Sequence, residues 1–115
     1  MDAQVLFAGV AVLDLDAANA WYERLFDRPA DIVPNDEEAM WRVTAEAGWL
    51  YLVIDGERAG RSLVAISVSD LDRVLVVLRS RGIDPETVEQ VGHDARKATL
   101  RDPDGNTIAL IEVAA

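Results

Sequence analysis

The chain has 115 residues, half of them apolar, with no cysteine and a formal net charge of −10. That length and apolar content suffice for one hydrophobic core, while the missing cysteines exclude disulfides, thiolate metal sites and cysteine nucleophiles. The acidity argues against a nucleic-acid partner, which needs clustered Lys and Arg; it serves solubility and, secondarily, attraction of a cationic ligand.

The N-terminal stretch MDAQVLFAGV lacks the basic start and long apolar segment of a signal peptide, and the apolar runs are short. A cytoplasmic location without a membrane partner is therefore expected. Residues 5–12 (VLFAGVAV) form an apolar run without helical spacing and predict a strand buried on both faces. Asp14 then suits a helix N-cap, with Asp16 in the first turn where the helix dipole favours negative charge, so a helix is expected from near Leu15. Leu15, Ala18, Trp21, Tyr22 and Leu25 fall on one stripe of it, and Asp27-Arg28-Pro29 closes it. Strands are expected at 30–33, 39–45 and 49–54, with polar loops at 35–38 and 55–61.

Residues 63–68 (LVAISV) begin the pattern again. Asp70 and Asp72 repeat the cap and first turn, Leu71, Val74, Val77 and Leu78 repeat the stripe, and Gly82 ends the helix as a residue that tolerates positive φ. Strands at 87–91, 97–101 and 107–113 complete the chain. The last two are joined by Asp102-Pro103-Asp104-Gly105-Asn106, with Pro and Gly placed for a tight turn.

Sliding VLDLDAANAWYERLFDRP by 56 positions lays it on VSDLDRVLVVLRSRGIDP, matching Asp14-Leu15-Asp16 with Asp70-Leu71-Asp72 and Pro29 with Pro85. Such internal similarity signals a repeated supersecondary unit. The expected fold class is α+β: two βαβββ modules, about 4–55 and 62–113, in a single domain over 1–115. A seam between two copies is a natural place for a ligand.

Strands ending V-x-D-L-D, the early Trp-Tyr of the first helix and the closing DPDGN-x-I-x-L hairpin resemble the vicinal oxygen chelate superfamily. Its members include glyoxalases, extradiol dioxygenases, and bleomycin and fosfomycin resistance proteins. The resemblance implies that each module curls its sheet into a half-cup with the helix on the convex side. It also implies a homodimer with pockets between chains. In metal-using relatives a His opens the first strand of each module and a Glu follows the Gly of DPDG by four residues. Here those places hold Phe7, Leu63 and Ala109, and the first-module counterpart of Ala109 is Leu52 or Val53. None offers imidazole nitrogen or carboxylate oxygen, so no metal and no other cofactor is expected. Lewis-acid isomerisation and oxygen activation then lose their electrophile.

Strand alternation groups Gly9 and Ala11 with Phe7, Ala65 and Ser67 with Leu63, and Thr107 and Ile111 with Ala109: a small apolar cup floor. Trp49 and Tyr51 share a strand face and Trp41 stands on the next strand, so the three either stack a planar or cationic ligand or pack beneath the helix, as Trp21 and Tyr22 do. Arg42, Lys97 and Thr99 point either into the cup or to its solvated rim. His93, the only histidine, is an acid–base candidate or plain surface. Helix capping accounts for Asp14, Asp16, Asp70 and Asp72, and turn chemistry for DPDGN.

The expected function is metal-independent binding or sequestration of a small organic molecule, aromatic or cationic. The ligand-binding candidates are Phe7, Trp41, Trp49, Tyr51, Leu63, His93, Thr99 and Ala109, with no catalytic residue assigned. The alternative is a lyase, isomerase or dioxygenase of the same superfamily with an atypical site, or a metal-free catalyst using His93 or Tyr51. A third is a structural or regulatory partner with an empty cup.

Overall fold

The computed structural model of the protein describes residues 1–114. Two four-stranded mixed sheets each carry one helix. The first contains β1 (Leu6–Val12), β2 (Ile32–Asn35), β3 (Glu38–Arg42) and β4 (Gly48–Ile54), with α1 (Leu15–Phe26) following β1. The second contains β5 (Leu63–Ser67), β6 (Thr87–Val91), β7 (Ala95–Arg101) and β8 (Thr107–Val113), with α2 (Leu71–Ser80) following β5. Strand order is β1-β4-β3-β2 in one and β5-β8-β7-β6 in the other. In each, the first strand lies parallel to the last and the other pairs are antiparallel. The α+β fold of two βαβββ modules is the one the repeat predicts.

Both helices begin where the aspartates dictate. Asp14 Oδ1 accepts from the N–H groups of Asp16 (3.0 Å) and Ala17 (3.2 Å), and Asp70 Oδ1 from that of Arg73 (3.1 Å). Each cap satisfies otherwise orphaned first-turn donors and contributes about 1 kcal/mol. Asp27 ends α1 in the left-handed region at φ 57°. The expected stripe of α1 buries Ala18, Trp21, Tyr22 and Leu25. In α2 the buried stripe is Leu71, Leu75 and Leu78; Val77, expected on it, is turned outward.

One face of each sheet lies under its helix. Val10, Val12, Ala39, Trp41, Leu50 and Leu52 form this core in the first module, and Ala98, Leu100, Ile108 and Leu110 in the second. Because a single helix covers a single face, the first strands are not buried on both sides as expected: on the uncovered faces Phe7 is 46% and Leu63 74% exposed. Strand β3 stops at Arg42 rather than continuing to residue 45, because the N–H groups of Val43 and Thr44 both turn to Gly48 O. Strand β2 starts two residues late, and β7 starts early because Ala95 pairs with Val91.

The halves are joined at two places. Arg24 and Arg81 cross between the helices, Arg81 Nη1 donating to Arg24 O (3.2 Å) and Arg24 Nη1 to Arg81 O (3.5 Å). At the sheet edges Asn106, fully buried, donates from Nδ2 to Ala11 O (2.8 Å) and to Asp102 Oδ2 (2.9 Å), while its Oδ1 accepts from Ser62 N (2.9 Å). Asp102 Oδ2 also accepts from the Tyr22 hydroxyl (2.8 Å), and its Oδ1 from the N–H groups of Asp104 and Asn106. The DPDGN segment is thus more than a turn: it rivets β1 and α1 of the first module to the second. Burial first, and then the Asp102 charge, raise the Tyr22 pKa far above its ordinary value.

Candidate functional site

The face of each sheet away from its helix is the open one, and the ladder register states what stands there. On β1 and β4, Phe7 pairs with Trp49, Gly9 with Tyr51 and Ala11 with Val53. Their partners on β3 are Arg42, Met40 and Glu38. On β5 and β8, Leu63 pairs with Thr107, Ala65 with Ala109 and Ser67 with Ile111, while Thr99 of β7 pairs with Ala109.

Phe7, Trp49 and Tyr51 form one aromatic wall. The Phe7 ring lies 6.1 Å from Trp49 in a tilted pair and 6.1 Å from Tyr51 edge-on. Such geometries suit the ring quadrupoles. Glycine at position 9 is required for this wall, since a Cβ there would stand 2.8 Å from the Tyr51 hydroxyl oxygen. Leu63, Ala109 and Thr99 share the corresponding face of the second module, so six of the eight candidates stand on these faces.

Two candidates are not there. Trp41 is 0% exposed and lies on the helix side, its ring 6.0 Å from Tyr22 and 5.8 Å from Phe26, its indole N–H donating to Arg28 O (3.1 Å). It is core, because alternation along β3 turns position 41 away from the face that holds Met40 and Arg42. His93 sits exposed in the turn between β6 and β7, and β6 is the strand farthest from β5 in its sheet.

The register also corrects the alignment of the halves. Gly9 and Ala65 are counterparts, and their ladder partners are Tyr51 and Ala109, so Tyr51 and neither Leu52 nor Val53 answers to Ala109. Leu52 is buried under the helix. The four positions at which relatives place metal ligands therefore hold Phe7, Tyr51, Leu63 and Ala109. Together they supply one phenol oxygen, against the three or four N, O or S donors a divalent ion needs. Among the described residues no three His, Cys, Asp or Glu side chains stand where they could hold a metal ion.

The start of β1 and the end of β5 do not close on each other. Between them lies a cavity of about 250 Å³ lined by Leu6, Ala8, Val43, Thr44, Gly48, Trp49, Leu50 and residues 64–67. Apart from Thr44 and Ser67 its lining side chains are apolar or aromatic. Beside it, the Arg42 guanidinium carbon lies 5.8 Å from the centre of the Trp49 ring. A mostly apolar concavity with a few placed polar groups suits a small organic molecule.

The comparisons with known proteins agree with this architecture. A structure of a glyoxalase/bleomycin resistance protein from Catenulispora acidiphila is 40% identical, covers 96% of this chain and 99% of its own, and superposes with a TM-score of 0.89. TnmS3, an antibiotic binding protein from a Streptomyces, is 21% identical with a TM-score of 0.79, covering 99% of both chains. A lactoylglutathione lyase from Agrobacterium tumefaciens is 18% identical with a TM-score of 0.76, covering 97% of this chain and 94% of its own. These last two share the fold. No functionally curated protein matches the chain significantly. Among the described residues no helix is long and apolar enough to cross a membrane. Residues 4–110 match the profile of one family, and the chain belongs to it: the glyoxalase/bleomycin resistance protein/dioxygenase superfamily.

Proposed function

We propose that the protein binds a small aromatic organic molecule without using a metal ion. The observation that carries this reading is the identity of the four residues at the usual ligand positions: two aromatic rings and two aliphatic side chains. Phe7 and Tyr51 extend the stacking surface of Trp49 at the place where a metal-using relative has donors. A lyase, isomerase or dioxygenase reaction routed through a metal has no donor set here to hold the ion. The antibiotic-binding neighbour is a precedent for binding on this scaffold, though it shares the fold alone. A homodimer is the assembly we propose with it, since Leu6 and Leu63 are exposed at the sheet edges.

Trp21 and Trp41 are buried while Trp49 is partly exposed, so a ligand at the wall changes the emission of Trp49 selectively. Two- and three-ring aromatic compounds are expected to quench it and raise the melting temperature, a ligand at a hundredfold excess over its Kd adding about 2.7 kcal/mol. Zinc, nickel, manganese and ferrous iron are expected to give no saturable stabilisation. A metal-dependent rise in melting temperature reversed by chelator, or silence of both signals across the aromatic panel, would overturn the reading.

A further inference from the structure

We infer that the aromatic compound carries an anionic group, a carboxylate on an apolar ring body, and that Arg42 selects it; the inference rests on the binding reading above. The two modules provide the comparison. Arg42 pairs across the ladder with Trp49, and Arg101 with Thr107, at matching places on the last two strands of each module. Asp31 and Glu86 also correspond: Asp31 N donates to Met40 O (2.8 Å) and Glu86 N to Thr99 O (2.7 Å). Met40 and Thr99 are in turn the ladder partners of Tyr51 and Ala109.

In the second module this pair is closed. Arg101 Nε donates to Glu86 Oε2 at 2.9 Å, and its Nη1 to Thr107 Oγ1 and Gly105 O. In the first module another arginine has taken the carboxylate. Arg28 donates to Asp31 Oδ1 through Nε (3.4 Å) and to Oδ2 through Nη2 (3.1 Å), and Oδ2 also accepts from the Arg42 backbone N–H (2.7 Å). The Arg42 side chain is left with Glu46 O at 3.4 Å and, among the described residues, no carboxylate within ion-pair distance. Its guanidinium lies over Trp49, a ring that lines the cavity.

A planar guanidinium presents paired N–H donors that match a carboxylate in two-point contact. An apolar body stacked on the wall of Phe7, Trp49 and Tyr51 would bring such a group to Arg42, which stands on the same face. A cation stacking on Trp49 would instead meet a positive charge already on that ring. The net charge of −10 opposes an anion only at long range, where salt screens it beyond about 8 Å, whereas the Arg42 contact is direct.

The test is titration calorimetry of the full chain at physiological salt with naphthoate, naphthylmethanol and naphthylmethylammonium, and again with Arg42→Gln. Naphthoate is expected to bind about five- to tenfold more tightly than the alcohol, as a partly exposed ion pair allows, and the ammonium more weakly than either. In Arg42→Gln the ratio of naphthoate to alcohol affinity is expected to fall to about one. The variant keeps its backbone bond to Asp31, and its thermal melt checks the fold. Equal binding of acid and alcohol, tightest binding of the ammonium, or a ratio preserved in Arg42→Gln would overturn the inference while leaving the binding reading intact. Absence of binding by all three would sink both.

Discussion

Tyr22→Phe tests the rivet between the modules with the smallest possible change. The ring stays and only the hydroxyl, which donates to Asp102 Oδ2 at 2.8 Å, is removed. The carboxylate keeps Asn106 Nδ2 and two backbone donors, so the loss is one hydrogen bond to a charged, buried acceptor, about 2 kcal/mol. For a chain of this size that lowers the melting temperature by roughly 8 °C. Alkaline pH supplies the sharper measurement. The folded-state pKa of Tyr22 lies above its unfolded value of about 10, chiefly because the hydroxyl is buried and then because Asp102 is charged. Its stabilising contribution is therefore complete below that pH and is lost as pH rises, because the unfolded chain ionises while the folded one cannot. The wild type then loses about 1.4 kcal/mol per pH unit relative to the Phe variant, which has no phenol at this place. The stability gap seen by urea denaturation at neutral pH should close near pH ~11.5. A gap under ~0.5 kcal/mol at neutral pH, or one unchanged at pH ~11, would refute the reasoning.

Trp41→Ala and Trp49→Ala should separate core from site: the first costs about 3 to 5 kcal/mol of stability by urea denaturation, while the second leaves the fold nearly unchanged and weakens an aromatic ligand by about 1 to 3 kcal/mol in calorimetry. Gly9→Ala places a Cβ where the Tyr51 ring now lies; the ring must swing out, so stability falls by ~1 kcal/mol and the ligand-induced quenching of Trp49 changes. Arg28→Gln releases Asp31 to Arg42 and makes the first module resemble the second, so the preference for naphthoate over the neutral alcohol should shrink in calorimetry; an unchanged preference would show that Asp31 does not compete for Arg42.

What was legible in the sequence is what short-range chemistry decides. The helices begin at Leu15 and Leu71 because Asp14 and Asp70 bond to N–H groups two or three residues away. The last strand runs over 107–113 as its turn requires. Which of two tryptophans faces the cup is a different matter. Trp41 and Trp49 both occupy strands, and only the docking of α1, through Tyr22 and Phe26, fixes the side of β3 that is buried. Tyr51 was misaligned because the 56-residue offset holds through the first strand and helix of each module but the last strands correspond at 58. Total charge favours a cation, whereas the local arrangement of Arg28, Asp31 and Arg42 leaves the Arg42 guanidinium beside Trp49 without a carboxylate in ion-pair contact among the described residues. That arrangement depends on a loop folding back beside β3, which no periodicity encodes.

The same comparison of halves explains why a cavity lies at one end of the seam and a rivet at the other. Asp102 and Asn106 bracket the turn that follows Arg101; the residues bracketing the turn after Arg42 are Val43 and Gly48. Under the helix repeat, Tyr22 answers to Leu78. Every polar member of the rivet is thus replaced, in the other copy, by a side chain with no hydrogen-bonding group or by none at all. A buried polar network stabilises only when each member is satisfied, so it is kept whole at one end and absent whole at the other. Val43 and Gly48, lacking the bulk and the donors to close the seam, line the 250 Å³ cavity there. One intact rivet ties the halves together at one end, and the cavity at the other is bordered by Trp49.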